Sequence, residues 1–135
     1  MQRALAWVGL LLGLAALILQ LTLAIPASMA RGHALLAALV TFFSFFTILS
    51  NAAVVLVYAA SLGLGPVFFG GARVRAGVAV AISVVSIVYI AILSRLWSPQ
   101  GLLYAADITL HYIAPGLYMI WWFAYGRDGT SRLAD

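Results

Sequence analysis

The stretch FFSFFTILSN, residues 42–51, contains the first candidate functional residues of the chain. It lies inside an uncharged apolar run, residues 34–62, which exceeds the roughly 20 residues that a bilayer-spanning helix needs. Thr47, Ser50 and Asn51 are spaced i, i+3 and i+4, so on a helix they share one face. Because hydrocarbon offers no hydrogen-bond partner, we predict that this polar face packs against the fourth apolar segment of the chain.

The composition of the whole chain indicates an integral membrane protein. Hydrophobic residues make up 66% of it and charged residues only 7%, whereas soluble domains carry roughly 25% charged residues. The apolar runs are long and lack strand alternation, which favours helices over barrel strands. There is no cysteine, lysine or glutamate, so disulfides and thiolate sites are excluded and neither a metal nor a cofactor is predicted.

Four apolar segments predict an all-α fold, a polytopic membrane bundle of four transmembrane helices with short loops in one domain, residues 1–135. The spans are expected near residues 4–25, 34–62, 76–97 and 102–125, followed by a polar tail at 126–135. The first segment has a signal-peptide alternative, with Arg3 as its basic end and Ser28-Met29-Ala30 as a cleavage site. Its apolar run exceeds the usual 7–15 residues of a signal peptide, which favours a retained span.

The arginines predict the orientation of the bundle. With four spans, one side holds Arg3, Arg73, Arg75, Arg127 and Arg132, and the other holds Arg31 and Arg95. Positive charge concentrates on the cytoplasmic side, so both termini are predicted to be cytoplasmic in a multi-pass protein of the cell membrane. The net charge of +4 comes from arginines that are scattered at the ends of the predicted helices, as is usual for residues that set membrane orientation. No nucleic-acid partner is therefore predicted.

Asp107 and His111 are the strongest candidates for chemistry, because ionisable groups inside a span are costly and usually functional. Their i, i+4 spacing lets the carboxylate hold one imidazole nitrogen and leave the other free as a base. In the alternative reading, His111 only bonds a serine or carbonyl of another helix. Asp107 has a competing partner in Arg95, because each lies six residues from Gly101 in a tight hairpin. Arg95 could instead extend to the membrane surface.

Thr47 is the candidate nucleophile, since a threonine hydroxyl becomes reactive when a base takes its proton. Counting from Gly32 and Gly101, Thr47 and His111 differ in depth by ~8 Å, which helix tilt could remove. The alternative is that the hydroxyl bonds its own i−4 carbonyl, as is common in membrane helices. Phe43 or Phe46 is predicted to wall the same space.

Two short motifs resemble the androgen-induced membrane proteins and their bacterial relatives, a family of predicted six-span proteins. The motifs are FFT-x-x-SN, at Phe45 to Asn51, and H-x-x-x-P, at His111 to Pro115. The animal members hydrolyse fatty-acid esters of hydroxy fatty acids with an intramembrane threonine and histidine. The resemblance therefore implies these roles for Thr47 and His111.

The chain departs from the family in two respects. Trp121-Trp122 stands where members often carry an aspartate-tryptophan pair, and four spans replace six. Two alternatives follow for a chain of four spans: it lacks a closed cavity, or it completes one by forming a homo-oligomer.

Three functions follow as hypotheses. The first is an intramembrane lipid-ester hydrolase in which Thr47 attacks, His111 is the base, and Ser50 or Asn51 donates to the oxyanion. The second is a non-catalytic structural, lipid-binding or assembly subunit, whose polar groups join helices. The third is a proton-coupled transporter that uses Asp107 and His111. Membrane lipid is the expected partner.

Overall fold

The computed structural model describes residues 1–127, and every regular element in that range is helical, which confirms the predicted all-α bundle. The elements are α1 (Gln2–Ala30), α2 (Leu35–Ser44), α3 (Phe46–Ser61), a 3₁₀ turn (Val67–Gly70), α4 (Ala72–Leu96), α5 (Leu102–Ile108) and α6 (Ala114–Trp121). Three π-helical turns interrupt α4 at Tyr89–Leu93, join α5 to α6 at Thr109–Ile113, and follow α6 at Trp122–Gly126. Most of the predicted tail, including Arg132, lies outside the described residues.

Two of these helices, α1 and α4, are long and apolar enough to cross a membrane. The pair α2 and α3 adds a third span if its two helices cross together, since they are bent by 73° at one residue. Residues 102–126 are helical throughout, but π-helical turns divide them into short pieces. A count of four spans therefore stays a prediction.

The first helix does not end before Pro26 as expected, because α1 continues through that proline to Ala30. A proline inside a helix removes one backbone hydrogen bond and strains the preceding turn. Membrane helices tolerate it when neighbouring helices and local adjustments satisfy the freed groups. The small residues of Ser28-Met29-Ala30 therefore form the last turn of α1.

The continuous helix predicted over residues 34–62 is also wrong, because it breaks at Phe45. That residue has φ −70° and ψ 127°, an extended conformation, and it ends α2 and begins α3. The break contains neither glycine nor proline, so no local sequence signal marks it. Irregular backbone at membrane depth is tolerated where it is buried or lines a cavity, and Phe45 lines a cavity.

α1 is packed into the bundle by a row of small residues. Ala6, Gly9, Gly13 and Ala16 are buried, and α3 lies directly against them. A Cβ added at Gly9 would lie 2.3 Å from the ring of Tyr58, so only glycine allows this approach. The first span thus contributes to the core of the described bundle.

Two buried clusters complete the core. One contains Tyr58, whose ring packs edge-on against Tyr118 and Trp121 at centroid distances of 5.7 and 5.3 Å. The second joins Ala16, Phe42, Ile48 and Leu110. Ala16, Ile48 and Leu110 neighbour Gln20, Thr47 and His111 on their helices, and Phe42 lines the same cavity. The second cluster therefore supports the candidate site.

Candidate active site

The structure brings Thr47 and His111 together, although 64 residues separate them in the chain. The Oγ1 atom of Thr47 lies 3.4 Å from Nε2 of His111. The bend at Phe45 sets the position of Thr47 independently of α2, so the simple count of residues along a straight span does not apply. The distance exceeds the 2.6–3.2 Å of a productive proton transfer, and such contacts often tighten only when substrate binds.

The hydroxyl of Thr47 differs from four other hydroxyls in this bundle. Those of Ser44, Ser83, Ser94 and Thr109 donate to the carbonyl four residues earlier on their own helices. Thr47 is the second residue of α3, and the carbonyl four residues before it belongs to α2, beyond the bend. The helix break therefore frees this hydroxyl to contact His111.

His111 is oriented by the residue one turn before it. Its Nδ1 atom lies 2.9 Å from the backbone oxygen of Asp107 and 3.3 Å from the carboxylate oxygen Oδ1. Both neighbours accept hydrogen bonds, so a neutral imidazole carries its proton on Nδ1 and donates to them. The Nε2 lone pair then faces Thr47, in the arrangement that a general base requires.

Tyr89 belongs to this site and was not among the predicted site residues. Its hydroxyl donates to the carboxylate oxygen Oδ2 of Asp107, and its ring stacks on the imidazole of His111 with centroids 4.0 Å apart. The only signal in the sequence was its i+3 spacing from Ser86, which predicts a shared face on α4. Tyr89 thus holds both the carboxylate and the ring.

Pro115 and Ser86 explain the backbone around His111. Proline has no N–H, so Pro115 leaves the carbonyl of His111 without its usual donor in the helix. The hydroxyl of Ser86 donates to that carbonyl at 2.6 Å. The surrounding π-helical turn, Thr109–Ile113, is a local geometry that recurs at functional sites. Ser86 on α4 therefore also holds the turn that carries His111.

Asn51 ties α3 to the same turn. Its amide nitrogen donates to the backbone oxygens of Thr47 at 2.9 Å and Leu110 at 3.1 Å. Thr47 and Asn51 contact residues of the fourth segment, as predicted for this face. Asn51 and Ser50 are almost fully buried. Both amide hydrogens of Asn51 are used, and neither residue lines the cavity that contains Thr47. The geometry therefore contradicts the predicted oxyanion role of Asn51 and gives no support to that of Ser50.

The predicted pair between Arg95 and Asp107 is wrong. Asp107 bonds Tyr89 and His111, and Arg95 is exposed and forms no ion pair within residues 1–127. The prediction counted six residues on each side of Gly101, but Trp97 is extended and residues 97–100 are not helical. Extended chain advances about 3.3 Å per residue and helix about 1.5 Å, so equal counts do not give equal depths.

Thr47, His111, Asp107 and Tyr89 line a cavity of about 410 Å³. Most of the remaining wall is apolar: Ala24, Phe42, Phe45, Ile48, Leu93, Leu96, Trp97, Leu103 and Leu110, with Gln20 as a further polar group. Phe43 and Phe46 do not line it and are about half exposed, which corrects their predicted role. The bend turns Phe42 and Phe45 toward the cavity instead.

A second cavity, of about 420 Å³, adjoins the first and is more polar. Tyr89, Trp97 and Asp107 line both cavities, and Ser94, Ser98 and Gln100 contribute polar groups to the second. The site therefore lies between an apolar space and a polar space.

Residues 1–127 contain no cluster of three histidine, cysteine or acidic side chains that could hold a metal ion. No family model, no curated protein and no solved structure matches the chain significantly. The function must therefore be argued from the site itself.

Proposed function

We propose that this protein is an intramembrane hydrolase of lipid acyl esters. One observation carries the proposal: the hydroxyl of Thr47 faces Nε2 of His111 at the wall of a largely apolar cavity. A nucleophile within reach of a base that is itself oriented by a third group is the geometric signature of covalent catalysis. Here Asp107 and Tyr89 supply the orientation.

The reaction has two steps. Thr47 Oγ1 attacks the acyl carbon while His111 Nε2 takes the hydroxyl proton, and the same proton then passes to the departing alcohol. Water next attacks the acyl-threonine and loses a proton to His111 Nε2. The bond between the acyl carbon and Thr47 Oγ1 then breaks, His111 returns the proton to Oγ1, and the fatty acid leaves. The polar second cavity offers water a route to the site, because it shares the wall formed by Tyr89 and Asp107.

The start of α3 supplies donors for the oxyanion of the tetrahedral intermediate. The first backbone bond of α3 runs from the N–H of Leu49 to the oxygen of Phe45, at 3.1 Å. The N–H groups of Phe46, Thr47 and Ile48 precede that bond and point from the positive end of the helix. Backbone N–H groups beside the nucleophile are common oxyanion donors, and here they take the role first expected of Ser50 and Asn51.

The apolar cavity supports a lipid as the substrate. Its volume lies in the range of small-molecule sites, and its aromatic and aliphatic wall suits an acyl chain. We also propose kinship with the androgen-induced membrane proteins. The direct contact between the threonine and histidine of the two motifs supports that kinship.

The proposed setting is the cell membrane, with four spans and both termini in the cytoplasm. The apolar helices support a membrane location and the arginine distribution supports the orientation. The chain has no cysteine, so single introduced cysteines report unambiguously. Gln100→Cys should react with an impermeant maleimide on intact cells, and Arg73→Cys only after permeabilisation. Labelling of Arg73→Cys on intact cells would refute the orientation.

The deciding experiment is hydrolysis of a fluorogenic long-chain acyl ester by purified protein in lipid nanodiscs. Wild type should turn over and Thr47→Ala should not, whereas Thr109→Ala should behave as wild type. Thr109 is a matched control, because its hydroxyl only bonds the carbonyl of Ala105 on its own helix. Equal rates for Thr47→Ala and wild type would refute the proposal.

A non-catalytic lipid-binding or assembly subunit is the second candidate. The bonds from Asn51 to Leu110 and from Ser86 to His111 favour it, because they join helices without any need for chemistry. Such a subunit would bind a fluorescent fatty acid in the same cavity and release no product from an ester. A homo-oligomer stays a prediction, which light scattering of the protein in detergent would test.

A further inference from the structure

Gln20 is a polar side chain without a hydrogen bond in an apolar part of the bundle. It lies on α1, is partly buried, and lines the cavity that contains Thr47 and His111. Its amide forms no hydrogen bond within residues 1–127. Leaving an amide unpaired in an apolar environment costs free energy, and polar groups on membrane helices usually bond a neighbouring helix. Gln20 does not, which leaves its amide available to a ligand.

The packing of α1 explains why Gln20 faces inward. Ala6, Gly9, Gly13 and Ala16 form the buried stripe of α1 at spacings of three and four residues. Gln20 and Ala24 continue that stripe at i+4 and i+8 from Ala16, and both line the cavity. The contact surface of α1 therefore becomes a cavity wall at Gln20.

Gln20 lies near the proposed reacting groups, Thr47 and His111. Ala16, Leu17 and Leu21 pack with Phe42, Ile48 and Leu110, which flank Thr47 and His111. α1 packs against α3, α5 and the π-helical turn that carries His111. Gln20 thus lines the cavity from a helix that supplies neither the nucleophile nor the base.

From these observations we infer that Gln20 binds the acyl carbonyl of the substrate and donates a hydrogen bond to its oxygen in the transition state. This inference rests on the proposed hydrolase function and extends it. A neutral amide donor suits the task, because it stabilises a developing negative charge without placing a permanent charge in an apolar cavity. The ligand class that it recognises is a lipid that carries a carbonyl group at the level of Thr47.

The test compares three variants in the fluorogenic ester assay in nanodiscs. Gln20→Leu keeps the approximate size of the side chain and removes the donor, and Gln20→Glu keeps the shape and also removes the N–H. Both should lower kcat about 10²-fold with little change in KM, which is the usual effect of losing one oxyanion donor. Gln2→Leu is the matched control at the exposed start of α1 and should keep the wild-type rate.

A second readout separates binding of the oxyanion from a structural role. A long-chain trifluoromethyl ketone forms a tetrahedral adduct with the nucleophile, so its affinity should fall in parallel with kcat/KM. Binding of a fluorescent fatty alcohol of the same chain length should not change. If Gln20→Leu fails to fold, Gln20→Asn replaces it, with a shorter amide that should retain part of the rate.

The outcomes distinguish this inference from the proposed function. Wild-type turnover that depends on Thr47 but survives in Gln20→Leu within threefold overturns the role of Gln20 alone. A variant that loses rate, thermal stability and fatty-alcohol binding together also overturns it, because that pattern indicates structural damage. If wild type hydrolyses no ester, the proposed function and this inference both fail.

Discussion

Thr47 and His111 should behave as one catalytic unit. Oγ1 of Thr47 contacts Nε2 of His111, and the proposed reaction needs both groups. We therefore expect Thr47→Ala and His111→Ala each to abolish ester turnover. The double variant should lose little more than either single variant, since the losses of a nucleophile and its base are not additive. Thr47→Ser retains a hydroxyl and should keep measurable activity.

The control for this prediction is the folded state of each variant, compared by thermal unfolding in detergent. Multiplicative losses in the double variant would show that the two residues act separately. That result would contradict the shared step.

Asp107→Asn should slow the reaction by about 10²-fold or less. Where a carboxylate alone sets the tautomer of a catalytic histidine, its loss costs about 10⁴-fold in kcat. Here the backbone oxygen of Asp107 also accepts from Nδ1, at 2.9 Å, and the substitution leaves that oxygen in place. The carboxylate then mainly stabilises the imidazolium that forms during the reaction.

Tyr89→Phe provides the comparison for Asp107→Asn in the same kinetic assay. It removes the donor to the carboxylate and keeps the aromatic ring that stacks on His111. A smaller loss than that of Asp107→Asn is expected. A 10⁴-fold loss in Asp107→Asn, with normal stability, would show that the backbone oxygen does not orient the ring.

At the scale of the helices, the hydrogen bond from Ser86 to His111 should contribute to stability. Ser86→Ala leaves the carbonyl above Pro115 without a donor, and an unsatisfied buried acceptor costs about 1–3 kcal/mol. Ser94→Ala is the matched control on the same helix. Its hydroxyl donates to the carbonyl of Ile90, which lies four residues earlier in α4. Loss of that bond should cost under about 0.5 kcal/mol, because bonds of this kind contribute little to helix stability.

Chemical unfolding in mild detergent would measure both serine variants. Ser86→Ala should also lower the rate of ester hydrolysis, since the turn that carries His111 loses a support. Equal stabilities for the two variants would contradict this account of Pro115. They would show that the carbonyl of His111 finds another donor.

Contacts between helices explain why two helix ends differ from those predicted. Pro26 is a strong local signal for a helix end, yet α1 continues to Ala30. Phe45 carries no such signal, yet the chain bends there by 73°. In both places, contacts with other helices and with the cavity determine whether the backbone groups are satisfied.

At the scale of the whole molecule, docking of α1 should depend on Gly9. A methyl group there would overlap the buried ring of Tyr58, so Gly9→Ala should destabilise the bundle by about 1–3 kcal/mol, the usual cost of overpacking. Gly77→Ala is the matched control, because no atom lies within 4 Å of the added methyl. It should be neutral or stabilising by up to about 1 kcal/mol, since alanine favours helix.

Thermal unfolding of the two glycine variants in the same detergent would test this docking. Gly9→Ala should also reduce ester turnover, because α1 carries Gln20 and Ala24 into the cavity wall. A Gly9→Ala variant as stable as wild type would show that Tyr58 relaxes without cost. The close approach of α1 and α3 would then not be required.

Properties that depend on local composition and spacing could be predicted from the amino-acid sequence. Long apolar runs predict helices in a membrane, because every backbone group must be satisfied within the helix. Helical periodicity predicted that Thr47, Ser50 and Asn51 share one face, on which Ser50 and Asn51 are buried and Thr47 is partly buried. It also predicted that Asp107 can hold His111, since an i, i+4 pair meets on any helix.

Only the tertiary structure decided which helices meet and at what depth. The bend at Phe45, the place of Tyr89 beside Asp107 and the exclusion of Arg95 depend on residues far apart in the chain. Such contacts arise from packing between whole helices, whose rotation and bending are shared by many side chains. No short stretch of sequence specifies how whole helices pack. The pair of Thr47 and His111 could therefore be predicted from the sequence, but their contact was seen only in the structure.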